Sequence, residues 1–158
     1  MAVDFFLKIA GIEGESHDAK HKNEIDVLNW TWGEHQLGTA ATGGGMGAGK
    51  VSMQDFQFTM TVSKASPKLL LACANGEHIK DATLVCRKAG KEQQEFMTIK
   101  FSDIMVSSFQ TGGHTEVPTD SISLNYSKIE YEYKPQKEDG TLDGPIKAGW
   151  DLKKNVKV

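Results

Sequence analysis

Two stretches of this chain alternate apolar and polar residues and then change parity without a break. In residues 24–32 (EIDVLNWTW), Ile25 and Val27 share one face, whereas Leu28, Trp30 and Trp32 share the next. In residues 121–133, Ile122, Leu124 and Tyr126 alternate, and then Ile129, Tyr131 and Tyr133 take the opposite parity. Successive side chains on a strand point to opposite faces, so a one-residue slip turns the apolar set around. A strand that keeps both halves covered must bulge or bend, as strands do at the corner of a barrel.

The remaining pattern agrees. Residues 3–9 form a short apolar-rich run, and Gly11, Gly14 and the polar residues 13–23 break it into a loop. Residues 51–62 alternate, with Phe56, Phe58, Met60 and Val62 on one face and Gln57, Thr59 and Thr61 on the other. One helix is predicted after them: Ser66 as N-cap, Pro67 in the first turn, Leu69 to Ala74 as the body and Gly76 as the stop. Further strands are predicted at 81–88, 95–101 and 104–109, with turns at Ala89-Gly90 and Gly112-Gly113. The tail is polar until Trp150 and Leu152, which dock a final strand. The fold class is therefore mainly β: a small two-sheet β-barrel with one α-helix on its side, built as a single domain over residues 1–158.

A chain of 158 residues can bury roughly 68–70% of its unfolded surface, enough for a core without staples. The net charge of −3, with both signs mixed along the chain, offers no basic footprint for nucleic acid. No run of 18 or more apolar residues calls for membrane insertion. The first nine residues do not read as a secretory signal peptide, so the chain is expected to fold in the cytoplasm and to leave, if it does, by another machine. Cys73 and Cys86 sit in no CxxC pair and read as free thiols.

Glycine crowds one loop: Gly38, Gly43, Gly44, Gly45, Gly47 and Gly49, with Met46 among them and Lys50 after them. Ordering such a loop costs about 1–2 kcal/mol per residue, with little side chain to offset it. It is expected to be mobile in an isolated subunit and to serve a partner. Gly44 and Gly49-Lys50 imitate part of a phosphate-binding loop. Val51 stands where the hydroxyl should be, however, and a strand pattern follows instead of a helix. Ser16-His17-Asp18 are adjacent, and adjacent side chains cannot form a triad. His17 and His21 have metal-ligand spacing, but Lys20 and Lys22 flank them. Asn29-Trp30-Thr31 and Asn125-Tyr126-Ser127 match the glycosylation pattern inside predicted strands. Glu130 and Glu132 read as the wet side of a strand. No catalytic residue, cofactor or metal is expected, and the chain reads as a structural protein and not an enzyme.

Several pieces in order resemble one family. They are Ile12-x-Gly14-Glu15-Ser16-x-Asp18-x-x-His21, Glu24-Ile25-Asp26-Val27-Leu28-x-Trp30-x-Trp32-Gly33, Gly49-Lys50-Val51, Ser66-Pro67-x-Leu69, Ala72-Cys73 and Gly76-x-His78. Later come Arg87-Lys88-Ala89-Gly90, Val106-Ser107-Ser108, Gly112-Gly113, Tyr133-x-Pro135-Gln136 and Gly149-Trp150-Asp151. Over nearly its whole length the chain resembles the haemolysin-coregulated protein (Hcp) family of bacterial type VI secretion. The resemblance implies a homo-hexameric ring and stacked rings inside a contractile sheath. It also implies a valine-glycine-repeat spike at the tip and small effector proteins in the lumen, with the tube cytoplasmic before firing and secreted afterwards. The glycine loop is then expected to make ring-stacking contacts. Thr31, on the face opposite Trp30 and Trp32, is expected to line the lumen or to sit on the outer surface. A rival reading is a monomeric β-barrel that binds a small ligand, with the glycine loop as its lid.

Overall fold

The computed structural model describes residues 2–38, 50–90 and 93–158. Among them the strands are β1 (Val3–Ile9), β2 (Ile25–Thr31), β3 (Glu34–His35), β4 (Ser52–Met53), β5 (Phe56–Thr61), β6 (Ile79–Lys88), β7 (Glu95–Gly112), β8 (Thr119–Asn125), β9 (Lys128–Tyr133), β10 (Ile146–Asp151) and β11 (Val156–Lys157). One helix, α1 (Ala65–Asn75), lies between β5 and β6. Strands β7-β6-β1-β2-β5-β8 pair in that order and β8 pairs again with β7, which closes a six-stranded barrel. Beyond β7, the strands β9, β10 and β11 continue the sheet as a ribbon outside the barrel. The mainly β barrel with one helix stands, and its two sheets are one sheet joined through β7.

Both parity changes have a structural cause. In β2, Val27 pairs with Met60 and Asn29 with Thr59, so Leu28 is the extra residue of a bulge. Leu28 is 53% exposed and does not share the inward face of Trp30 and Trp32, a correction to the simple alternation. Trp30 packs edge-on to Phe5 at 6.1 Å and against Phe56 at 6.2 Å. Residues 121–133 are two strands and not one. The chain leaves the barrel at Tyr126, whose ring lies 4.8 Å from Phe101, and β9 begins in the ribbon two residues later.

The opposite correction applies to residues 95–109, which form one strand where two were predicted. Strand β7 pairs with β9 over Met97 to Ser102 and with β8 from Met105 to Gly112. The switch falls at Asp103, whose φ of 55° lies in the left-handed region that Asp tolerates. The run 51–62 is broken into β4 and β5, and Val62 is exposed.

Ser66 is inside α1 and is not its N-cap. Its buried hydroxyl donates to Asp120, and the Ser63 N–H donates to it at 3.0 Å. Gly76 does end the helix, at φ 65°, with its N–H on the Ala72 carbonyl.

The barrel interior is filled by large apolar groups. Phe56, Phe58, Phe101, Leu7, Leu84 and Leu124 are at most 2% exposed, and Leu69 of α1 joins the same cluster. Cys86 faces this core as a free thiol, and burial pushes its pKa up to about 12.

An uncharged polar face and an apolar groove

Because β5 alternates Phe56, Phe58 and Met60 inward, Gln57 and Thr59 point out of the barrel. Register then lines up neighbours from three other strands. One row runs Thr31–Gln57–Ser123–Ser108 and the next runs Asn29–Thr59–Ser121–Gln110, across β2, β5, β8 and β7. These eight side chains line a depression of about 300 Å³ together with Phe58 and Ile122. None of them is ionisable, in a chain of which 25% is charged. At the end of the rows Asp55 has both oxygens occupied. Ser107 donates to Oδ2 at 2.6 Å and Asn125 to Oδ1 at 2.9 Å. The eight side chains therefore offer hydroxyl and amide groups and no charge, and the Asp55 carboxylate at their end is held by neutral donors. Thr31 is exposed at its β2 edge.

A second surface lies between the ribbon and a small hairpin of β3 and β4, which pair with each other apart from the main sheet. A groove of about 810 Å³ is lined by Trp32, Met53, Ile129, Tyr131, Ile146 and Trp150, among others. Its floor is the ribbon, where Ile146 is 65% exposed and Tyr133 43%. The hairpin is tied to the barrel through Tyr126. The Trp32 ring N–H donates to the Tyr126 hydroxyl, which donates to the Gln54 carbonyl at 2.8 Å. Burial pushes the Tyr126 hydroxyl up to about 12, so it stays a donor.

The same hairpin carries both ends of the glycine loop. Gly38 and Lys50 are exposed. Gly43, Gly44, Gly45, Met46, Gly47 and Gly49 lie outside the described residues. Lys50 leads into the strand β4 and not into a helix. Ser16 accepts from the Asp18 backbone N–H at 3.2 Å. His17 is exposed and His21 is buried, so the two do not face a common site.

Sequence reasoning missed a charged cluster on the other side of the barrel. Arg87, 2% exposed, donates to both oxygens of Asp18 at 2.9 and 2.7 Å and to Asp4 at 3.4 Å. These bonds hold the Asp18 carboxyl well below the usual carboxylate range. The residues concerned stand 69 or more positions apart in the chain. The only signal was that Asp18, His21 and Arg87 recur in the stretches that resemble a family.

Comparison with known proteins agrees along the whole chain. A family model described as type VI secretion system effector, Hcp, matches residues 6–133. Protein hcp1 of Pseudomonas aeruginosa is 46% identical over 162 residues, with 100% of both chains covered. The crystal structure of Hcp1 from Salmonella typhimurium is 36% identical, covers 100% of both chains and superposes with a TM-score of 0.83. A structure described as a type six secretion system protein is 32% identical, covers 99% of this chain and 100% of its own, and reaches a TM-score of 0.93. A β7-closed barrel with a trailing ribbon, matched end to end by such proteins, makes this chain a member of the Hcp family of the type VI secretion system.

Proposed function

We propose that the chain is the tube subunit of a type VI secretion apparatus, acting as a structural protein and not as an enzyme. Six copies form a ring, and rings stack inside a contractile sheath beneath a valine-glycine-repeat spike. The tube is cytoplasmic before firing and is secreted with small effectors in its lumen. The observation that carries this reading is the end-to-end match with Hcp proteins. The apolar groove supports it, since exposed apolar surface of that kind is characteristic of a protein contact. The barrel interior supports it too. Among the described residues it is filled by Phe56, Phe58 and Phe101, where a monomeric carrier would hold its ligand.

Sedimentation and negative-stain microscopy of the purified protein test it. The expected result is a ring of six times the 17.3 kDa monomer. A sole monomeric species under mild conditions overturns the reading in favour of the small-ligand barrel. In this reading the segment from Gly38 to Lys50 makes the ring-to-ring contact, so shortening it weakens stacks and spares single rings.

The uncharged face is the lumen surface in this reading. A Thr31→Gln substitution is expected to reduce co-purification of a cognate effector by bulk. It should also leave ring size unchanged and stability within about 0.5 kcal/mol, as exposed substitutions usually do. Undiminished effector recovery with intact rings removes Thr31 from the cargo surface.

A further inference from the structure

The cluster around Arg87 has no part in the proposed tube contacts, yet it organises a whole loop. Residues 10–24 fold back over the outer face of β1 and β6. Asn23 donates to the Ser16 carbonyl at 2.9 Å, and Ser16 donates to the Glu24 carbonyl at 3.0 Å. The loop covers Phe6, which is 4% exposed. The His21 ring stacks on Phe6 at 4.3 Å and 7°, and the Arg87 guanidinium carbon lies 4.7 Å from the same ring.

Two fastenings of different chemistry hold the loop down. The first is Asp18 to Arg87, a fork of two short bonds. Arginine does not lose its proton in proteins, and this carboxylate stays ionised far into acid, so the fork persists across the ordinary pH range.

The second is His21. Its Nδ1 lies 3.0 Å from both oxygens of Glu24, and its Nε2 lies 2.7 Å from Glu95 on β7. A carboxylate can only accept, and a neutral imidazole has a single N–H. Both contacts are therefore hydrogen bonds only when the ring carries two protons. With one proton, a nitrogen lone pair faces a carboxylate in a site where the ring is 7% exposed.

We propose that loop 10–24 is a pH-sensitive strap, hinged at Asp18–Arg87 and clasped to β7 by His21 only while both ring nitrogens are protonated. Among the described residues, the ionisable groups around the clasp are Glu24 and Asp18 from the loop, Glu95 from β7, Arg87 from β6 and, behind them, Asp4 from β1 and Asp26 from β2. The sign follows from the donors. The clasp is closed in mild acid and opens as pH rises and the ring loses its second proton. The strap also reaches α1. Glu15 accepts from the Lys64 backbone N–H at 3.2 Å, and Glu13 pairs with the Lys64 ammonium at 3.7 Å. Opening the clasp therefore loosens the link between the β6–β7 hairpin and the start of the helix.

Hydrogen exchange of the full chain, read by mass spectrometry on peptides covering residues 10–24, tests this. Exchange times are scaled for the intrinsic pH dependence of amide exchange. The wild type is expected to open about tenfold more readily at about pH 8.5 than at about pH 6, the scale of one charge-assisted hydrogen bond. H21Q and E95Q are expected to open equally at both pH values. Equal protection of the wild type at both, or a pH dependence that survives in H21Q, overturns the proposal. Should both variants fold poorly, nitrogen-15 spectra of the wild-type His21 ring decide. Two protonated nitrogens at pH 6 and one at high pH are expected, and a single N–H at pH 6 overturns it.

Discussion

Phe56→Ala is expected to destabilise the folded chain by about 3–5 kcal/mol, the range for deleting a buried aromatic ring. Phe56 is 0% exposed, and its ring meets Phe101 at 4.8 Å, Phe58 at 5.8 Å and Trp30 at 6.2 Å. These neighbours come from β7, β5 and β2, three walls of a closed barrel. A closed sheet cannot shrink around a lost ring as a loose helix pair can, so the cavity persists and the cost stays near the upper end. The midpoint of thermal unfolding should fall by about 10–15 °C, taking about 2–4 °C per kcal/mol for a chain of this size. Protein concentration has to be held constant, because assembly adds its own stabilisation. A loss below about 1 kcal/mol would mean that the barrel collapses around the gap.

Arg87→Met is expected to cost about 3 kcal/mol, measured by urea unfolding, because removing one partner of a buried ion pair leaves the other charge uncompensated. Arg87 is 2% exposed and Asp18 is mostly covered, whereas Asp4 is nearly half exposed and can be rehydrated. That places the cost at the lower end of the buried-pair range. Arg87→Lys should recover little of it. An ammonium cannot make the bidentate contact to Asp18 and also lie flat over Phe6. A neutral Arg87→Met would show that the cluster is held by the packing of Phe6 alone.

What could be read from the chain depended on how local the cause was. The parity change at Val27 and Leu28 announced a bulge, because a bulge is a property of consecutive residues. Gly76 announced the helix end for the same reason. Ser66 misled. Serine before an apolar run is a standard capping signal, but its hydroxyl is engaged by Asp120, which is distant in sequence and buried beneath the helix. The continuity of β7 was hidden, since Ser102-Asp103 resembles a turn and only the pairing of Ser102 and Ile104 with β6 carries the strand through it. The polar face was half visible. Alternation put Gln57 and Thr59 outside, but the rows with Ser121, Ser123, Ser108 and Gln110 depend on register between strands far apart in the chain. The Arg87 cluster lies wholly at that level, and residue spacing carries no trace of it.

The sharing of β7 between barrel and ribbon has a mechanical consequence. Met97 to Ser102 bind β9, and the same covalent strand continues from Met105 to Gly112 along β8. A load pulling the ribbon along the strand direction shears the β7–β9 ladder and passes into the barrel along the β7 backbone. Opposing it are the ladders to β6 and β8, whose hydrogen bonds lie across the pull and must yield together instead of one at a time. A pull perpendicular to the strands meets only the β9 ladder and peels it bond by bond. The subunit is therefore stiff along one direction and compliant in another, and a single polypeptide segment sets which is which.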